Sequence, residues 1–158
     1  MSAKTKSVLR PMGTATIPAS ETLFEPNAAL VTRKGLYVWG GFIDRVRKHA
    51  APVQSMGALA LPYSDLVEAA NDREIGSSLG KGYEFSATKL CYVIDRLVSA
   101  QPNGEDGVLL NNGYANLFYD ENGPVADLGW CAGHGKWSLD GWRRVGSRWL
   151  PGSRAFRN

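Results

Sequence analysis

The chain has 158 residues, with 18 Lys and Arg against 15 Asp and Glu, so it carries +3 with both histidines neutral. Hydrophobic residues make up 44% and charged residues 21%, which excludes wholesale disorder and a fibrous repeat. A domain of this length buries roughly 70% of the surface its unfolded chain exposes, so neither a metal nor a disulfide is needed to hold it. Apolar stretches such as 57–61 and 90–94 are far shorter than the roughly 20 residues of a membrane-spanning helix. The N-terminus carries Lys4, Lys6 and Arg10 but runs on through Pro11 and Gly13 instead of an apolar stretch, unlike a secretory signal. A cytoplasmic protein without membrane contact is expected. Cys91 and Cys131 are too few for a disulfide scaffold, and two reduced thiols are expected.

Residues 1–20 hold three basic and no acidic side chains among prolines, glycine and hydroxyls, which predicts a flexible or extended N-terminal arm ahead of a single α+β domain over 21–158. The first strand is expected at 36–39, where Leu36, Tyr37, Val38 and Trp39 suit a pleated surface before Gly40 and Gly41. A short helix follows, with Phe42, Ile43 and Val46 on one face, until Pro52 stops it. Pro62 and Asp65 suggest a helix start with Leu66, Val67 and Ala70 inward, and the glycines at 76, 80 and 82 predict a loop near 80–82. The clearest helix is 86–100: Leu90, Val93, Ile94, Leu97 and Val98 recur at three and four residues behind Ser86, a candidate cap.

Everything after Gly107 has strand spacing. Asn112-Gly113, the dipeptide that best tolerates a type I′ turn, predicts a hairpin between strands at 108–111 and 114–119. Residues 120–123 supply a second turn, 124–130 a third strand, and 133–135 a turn into a strand at 136–142. A last strand within 149–156 closes the set. The predicted fold is α+β: two or three helices, then a four- or five-stranded antiparallel meander with the long helix on one face.

Four of the five tryptophans, Trp130, Trp137, Trp142 and Trp149, fall within 20 residues. Alternation places Trp137 and Leu139 in the core, whereas Gly141 and Gly146 blur the register of Trp142 and Trp149. Residues 129–158 carry six Lys and Arg against the single carboxylate of Asp140, a local charge of +5. With +3 in 1–20, the middle of the chain is left at −5. The arginines interleaved with indoles mark Trp142, Arg143, Arg144, Arg148 and Trp149 as the candidate partner-binding face, able to pair with carboxylates of a protein or to clamp phosphates and stack on bases.

Catalytic and metal signatures are weak. Cys131 and His134 have the spacing of half a zinc site, but the other candidates, Cys91 and His49, belong to different elements, and no third group orients a Cys–His nucleophile pair. The run 76–82 lacks the Gly-Lys-Ser/Thr ending of a phosphate loop and fits a connector. Asp65, Glu68 and Asp72 share one side of the presumed helix and fit a solvated face. The expectation is a protein with no catalytic residue, no cofactor and no metal.

The C-terminal third, through Leu110-Asn111-Asn112-Gly113, Trp137-Ser138-Leu139-Asp140-Gly141-Trp142 and Trp149-Leu150-Pro151-Gly152, resembles the tails of small uncharacterised proteins of proteobacterial phages and integrated elements. The resemblance covers about 50 residues, a Trp- and Gly-punctuated sheet, and brings no family activity with it. It implies a small accessory protein. The expected function is therefore a non-enzymatic protein-binding module, an inhibitor of a host nucleic-acid-handling enzyme such as a CRISPR effector. The alternatives are a direct nucleic-acid binder using the basic aromatic face, or a small enzyme with an unrecognised site.

Overall fold

The computed structural model describes residues 6–31, 33–144 and 146–158. In chain order it contains β1 (Leu9–Ile17), a π-type turn (Asn27–Val31), β2 (Leu36–Val38), α1 (Gly40–Arg45), a 3-10 turn (Arg47–His49), β3 (Leu59–Leu66), β4 (Ala70–Asn71), α2 (Asp72–Leu79), α3 (Ala87–Ala100), β5 (Asn116–Tyr119), β6 (Pro124–Cys131), β7 (Lys136–Arg143), β8 (Arg148–Trp149) and β9 (Arg154–Phe156). The class is α+β. Seven strands form one mixed sheet in the order β1-β3-β9-β5-β6-β7-β2, and β4 pairs with β8 in a small ribbon. Among the described residues no helix is long and apolar enough to cross a membrane.

Strand alternation gives the sheet apolar side chains on both faces, one covered by α3 and the other covered in part by α2. Phe118, Ala126, Leu128, Trp137, Leu139 and Phe156 point to the side where α3 lays down Leu90, Val93, Ile94, Leu97 and Val98. Leu117, Tyr119, Val125 and Ala155 point to the other, against Ile75 and Leu79 of α2. The amphipathic period of 86–100 yields the expected helix, with the Ser86 side chain accepting from the Lys89 amide at 3.2 Å. Trp137 is fully buried, its indole N–H donating to the Gln101 carbonyl at 2.7 Å.

The antiparallel meander survives only for β5, β6 and β7. β9 lies between β3 and β5, antiparallel to the first and parallel to the second. What seats so short a strand is side-chain contact far along the chain: Phe156 stacks on Phe118 with centroids 4.6 Å apart, and Arg154 Nε reaches Asp65 Oδ1 at 2.7 Å. The hairpin expected at Asn112-Gly113 is likewise replaced. Gly113 does take a positive φ of 88°, and Asn112 Oδ1 accepts from the Tyr114 amide, but 108–111 forms no strand. Instead the buried Asn116 side chain binds both the N–H and the carbonyl of Leu110, which satisfies that backbone without a ladder.

The helix expected from Pro62 is strand β3, paired to β1 on one side and β9 on the other. Pro62 sits just outside the stretch that pairs with β9, where a missing N–H costs the ladder little. The presumed Asp65, Glu68, Asp72 helix face is therefore absent. Helix α2 begins later, at an Asn71–Glu74 capping box; it passes through Gly76, where an added Cβ would meet the Tyr83 hydroxyl at 2.6 Å. Within the stretch expected as an N-terminal arm, residues 9–17 are the edge strand β1, which lends Ala15 and Ile17 to the α3 core and Leu9 to the α2 core.

Candidate functional site

The cluster beneath α2 takes no residue from β7 or β2, so the β6–β7–β2 half of that sheet face lacks an apolar cover. Alternation along β7 puts Lys136, Ser138, Asp140 and Trp142 on this half, and the parallel register Tyr37↔Ser138 adds Tyr37 of β2, with Trp39 just beyond it. These are the three most exposed aromatics among the described residues: Tyr37 is 53%, Trp39 49% and Trp142 48% accessible. Tyr37 and Trp39 meet edge to face at 4.9 Å, and Trp39 Nε1 donates to Ser138 Oγ at 2.7 Å, so both rings are held in place instead of sweeping freely. Beside them lies a hollow of about 460 Å³ lined by Tyr37, Trp39, Cys131, His134, Lys136 and Ser138.

Two carboxylates stand directly opposite one another on this face, Asp127 of β6 and Asp140 of β7. Like charges in that position repel. Burial, with a further contribution from Asp140, pushes the Asp127 carboxyl up to about 6 against a hydrogen bond from the Trp142 indole. Neither carboxylate is in an ion pair among the described residues, although Arg45, whose guanidinium donates to the Gly141 carbonyl at 3.0 Å, lies nearby. The face is an aromatic surface with an unneutralised acidic centre.

The five residues singled out in the sequence are not gathered on one face. Trp142 belongs to the open half just described. Arg143, next along β7, points the other way and borders a separate hollow with Arg45, Lys48 and His49. Arg144 is tied internally: Nη2 contacts Glu84 Oε2 at 2.6 Å and the Asp120 carbonyl at 2.8 Å, Nη1 contacts the Tyr83 hydroxyl at 3.2 Å, and the guanidinium lies 5.0 Å above the Tyr119 ring. Arg148 is exposed, reaching the Ala69 carbonyl and Glu74. Trp149 braces α2, since the buried Asp72 carboxylate accepts from Trp149 Nε1 at 2.8 Å and from the Tyr119 hydroxyl at 2.7 Å. Tyr37, Trp39 and Asp127 were missed as site residues because only the β2–β7 and β6–β7 pairings bring them to Trp142.

Cys91 is buried in the core and Cys131 is partly exposed at the hollow; both are unpaired. Burial pushes the Cys91 thiol up to about 12, which keeps it protonated and unreactive. Among the described residues no group of three or more His, Cys, Asp or Glu is placed to hold a metal. Comparison with protein-family models, with curated proteins and with solved structures gives no match, so geometry and chemistry carry the functional reading.

Proposed function

We propose that the chain is a non-enzymatic protein-binding module whose contact surface is the open β6–β7–β2 half of the sheet. The observation that carries this reading is the group of half-exposed rings, Tyr37, Trp39 and Trp142, around the Asp127–Asp140 pair. Large aromatics dominate interface hot spots, and a prearranged indole loses little side-chain freedom on binding. The acidic centre selects the partner's chemistry. An arginine presented by the partner would relieve the repulsion between the two carboxylates and stack on Trp142 or Trp39, combining a charge-assisted hydrogen bond with a cation–π contact. The proposed partner is thus a host protein with a basic side chain at the centre of its contact patch.

The resemblance of the C-terminal third to small phage proteins motivates the further proposal of a role in the host cytoplasm as an inhibitor of a nucleic-acid-handling defence enzyme such as a CRISPR effector. Proteins that handle nucleic acid carry basic surfaces, the kind of surface this acidic, aromatic face complements. The test is affinity capture from host lysate by the wild type and by a Trp39→Ala, Trp142→Ala variant, followed by titration of the identified partner in purified form. Expected are a partner bound by the wild type, a loss of at least about tenfold in the double variant, and inhibition of the partner's activity. Equal binding by both proteins would overturn the assignment of this face.

A further inference from the structure

Away from the aromatic rings, three hollows share lining residues and so adjoin one another in a row. The first, about 350 Å³, lies at the end of the sheet between Arg45, Lys48, His49, Asn122 and Arg143, with Arg144 on its far wall. Arg144 also lines the second, about 700 Å³, which runs past Tyr83 and Lys81 to Arg73. Arg73 and Ser77 line the third, about 490 Å³, which ends at Lys6. Cations from five separate segments of the chain converge on this path. Lys6, Lys48, Arg73, Lys81 and Arg143 are exposed and take part in no ion pair or side-chain hydrogen bond among the described residues.

The carboxylates along the path are mostly engaged elsewhere. Asp72 is buried and accepts from Tyr119 and Trp149. Glu74 is occupied by Arg148 and by the Asn71 amide of the capping box. Asp120, next to the first hollow, accepts from the Asn122 backbone and side chain, and burial pushes its carboxyl upward, towards the neutral form. Among the described residues Asp44 alone is an exposed carboxylate on the lining. Gathering free cations while turning their possible counter-ions inward costs self-repulsion, which a polyanion would relieve.

We propose that this row of hollows is a track for the phosphodiester backbone of a single-stranded nucleic acid. The shape favours a single strand over a duplex. The path turns from the sheet end onto the α2 face through concave hollows, each of nucleotide size, and a flexible strand can follow it. A duplex, with a persistence length of roughly 50 nm, would bridge across. Among the described residues Tyr83, held by Arg144, is the one Phe, Tyr or Trp ring on the path, so contact is mainly electrostatic and insensitive to sequence. The stretch 76–82, which matches no phosphate-loop pattern, contributes here as a wall, with Gly76, Ser77, Gly80 and Lys81 along the second hollow. This site is independent of the aromatic face and stands or falls without it.

The experiment is fluorescence anisotropy of the full chain with a labelled oligothymidylate across a salt series. Binding should weaken linearly in log–log form, with a slope of about −0.7 for each phosphate neutralised. Single Lys48→Ala, Arg73→Ala, Lys81→Ala and Arg143→Ala changes should each flatten the slope by about 0.7, and reversal of all four to Glu should weaken low-salt binding by on the order of a hundredfold or more. The Trp39→Ala, Trp142→Ala variant and Lys136→Glu, all outside the track, should bind like the wild type. The proposal is overturned if the wild type does not bind at low salt, if the four-fold reversal stays folded by circular dichroism and binds unchanged, or if the aromatic-face variants lose binding as completely. A duplex of equal length that binds as tightly as the single strand would overturn the choice of ligand.

Discussion

At the scale of single residues, the molecule tolerates unfavourable electrostatics at Asp127 and resolves it at Asp72. Asp127 has a folded pKa near 6, above its ordinary value of 3.8, because burial disfavours the charge. A raised carboxyl binds its proton more tightly when folded, so the penalty from Asp127 is absent below about pH 4 and grows as pH rises towards 6. Asp127→Asn removes that loss while keeping an acceptor for the Trp142 indole. It should raise stability at pH 8 by about 1 to 3 kcal/mol and change little at pH 4, as urea unfolding at the two pH values will show. Asp72 is also buried but accepts two hydrogen bonds, from Tyr119 and Trp149. Asp72→Ala leaves the buried Tyr119 hydroxyl and the partly buried Trp149 indole without this partner and should cost about 2 to 4 kcal/mol, checked by the same unfolding measurement.

At the scale of elements, α3 and β1 differ in how openly the chain declares them. The α3 sequence has one apolar stripe, a serine cap and an Asn-Gly stop, all local features, and the helix forms where they point. Ser86→Ala should cost about 1 kcal/mol through the lost cap, whereas Leu90→Ala, at a fully buried position, should cost about 2 to 5 kcal/mol. In β1, by contrast, only Leu9, Ala15 and Ile17 are buried. Its sequence, with Pro11, Gly13 and hydroxyls, has the composition of a tail, and it becomes a strand because β3 offers an antiparallel edge. Deletion of residues 1–17 should therefore remove apolar contacts from both cores and yield a chain without cooperative thermal unfolding.

At the scale of the whole molecule, the last strand closes the sheet. Seated between β3 and β5, β9 joins the N-terminal β1–β3 pair to the β5–β6–β7–β2 portion. The pairing partners Asp65 and Arg154 are far apart in the chain, so loop closure is costly and folding should be slow for the size. Truncation after Ser153 should separate the two portions. The expected result is loss of the sharp unfolding transition with helical circular dichroism partly retained, and a truncated chain that unfolds as cooperatively as the full one would contradict this topology.

Local features in the chain were sufficient for α3, for the turns at 120–123 and 133–135, for the β6 and β7 strands they bound, and for Trp137 in the core. Each depends on periodicity or on residues close in sequence, so its energetics are written within a short window. The positions of β9 and β1, the identity of β3 as a strand, and the separation of Trp142 from Trp149 depend on partners many residues away. A short strand such as Arg154–Phe156 has almost no intrinsic preference and takes the place where Phe156 can stack on Phe118 and Arg154 can reach Asp65. The same holds for the two candidate surfaces. Clustering along the chain placed arginines and indoles together, but a β-strand sends consecutive side chains to opposite faces, so Trp142 joined Tyr37 and Trp39 while Arg143 joined Lys48, which leaves two candidate surfaces where linear order suggested one.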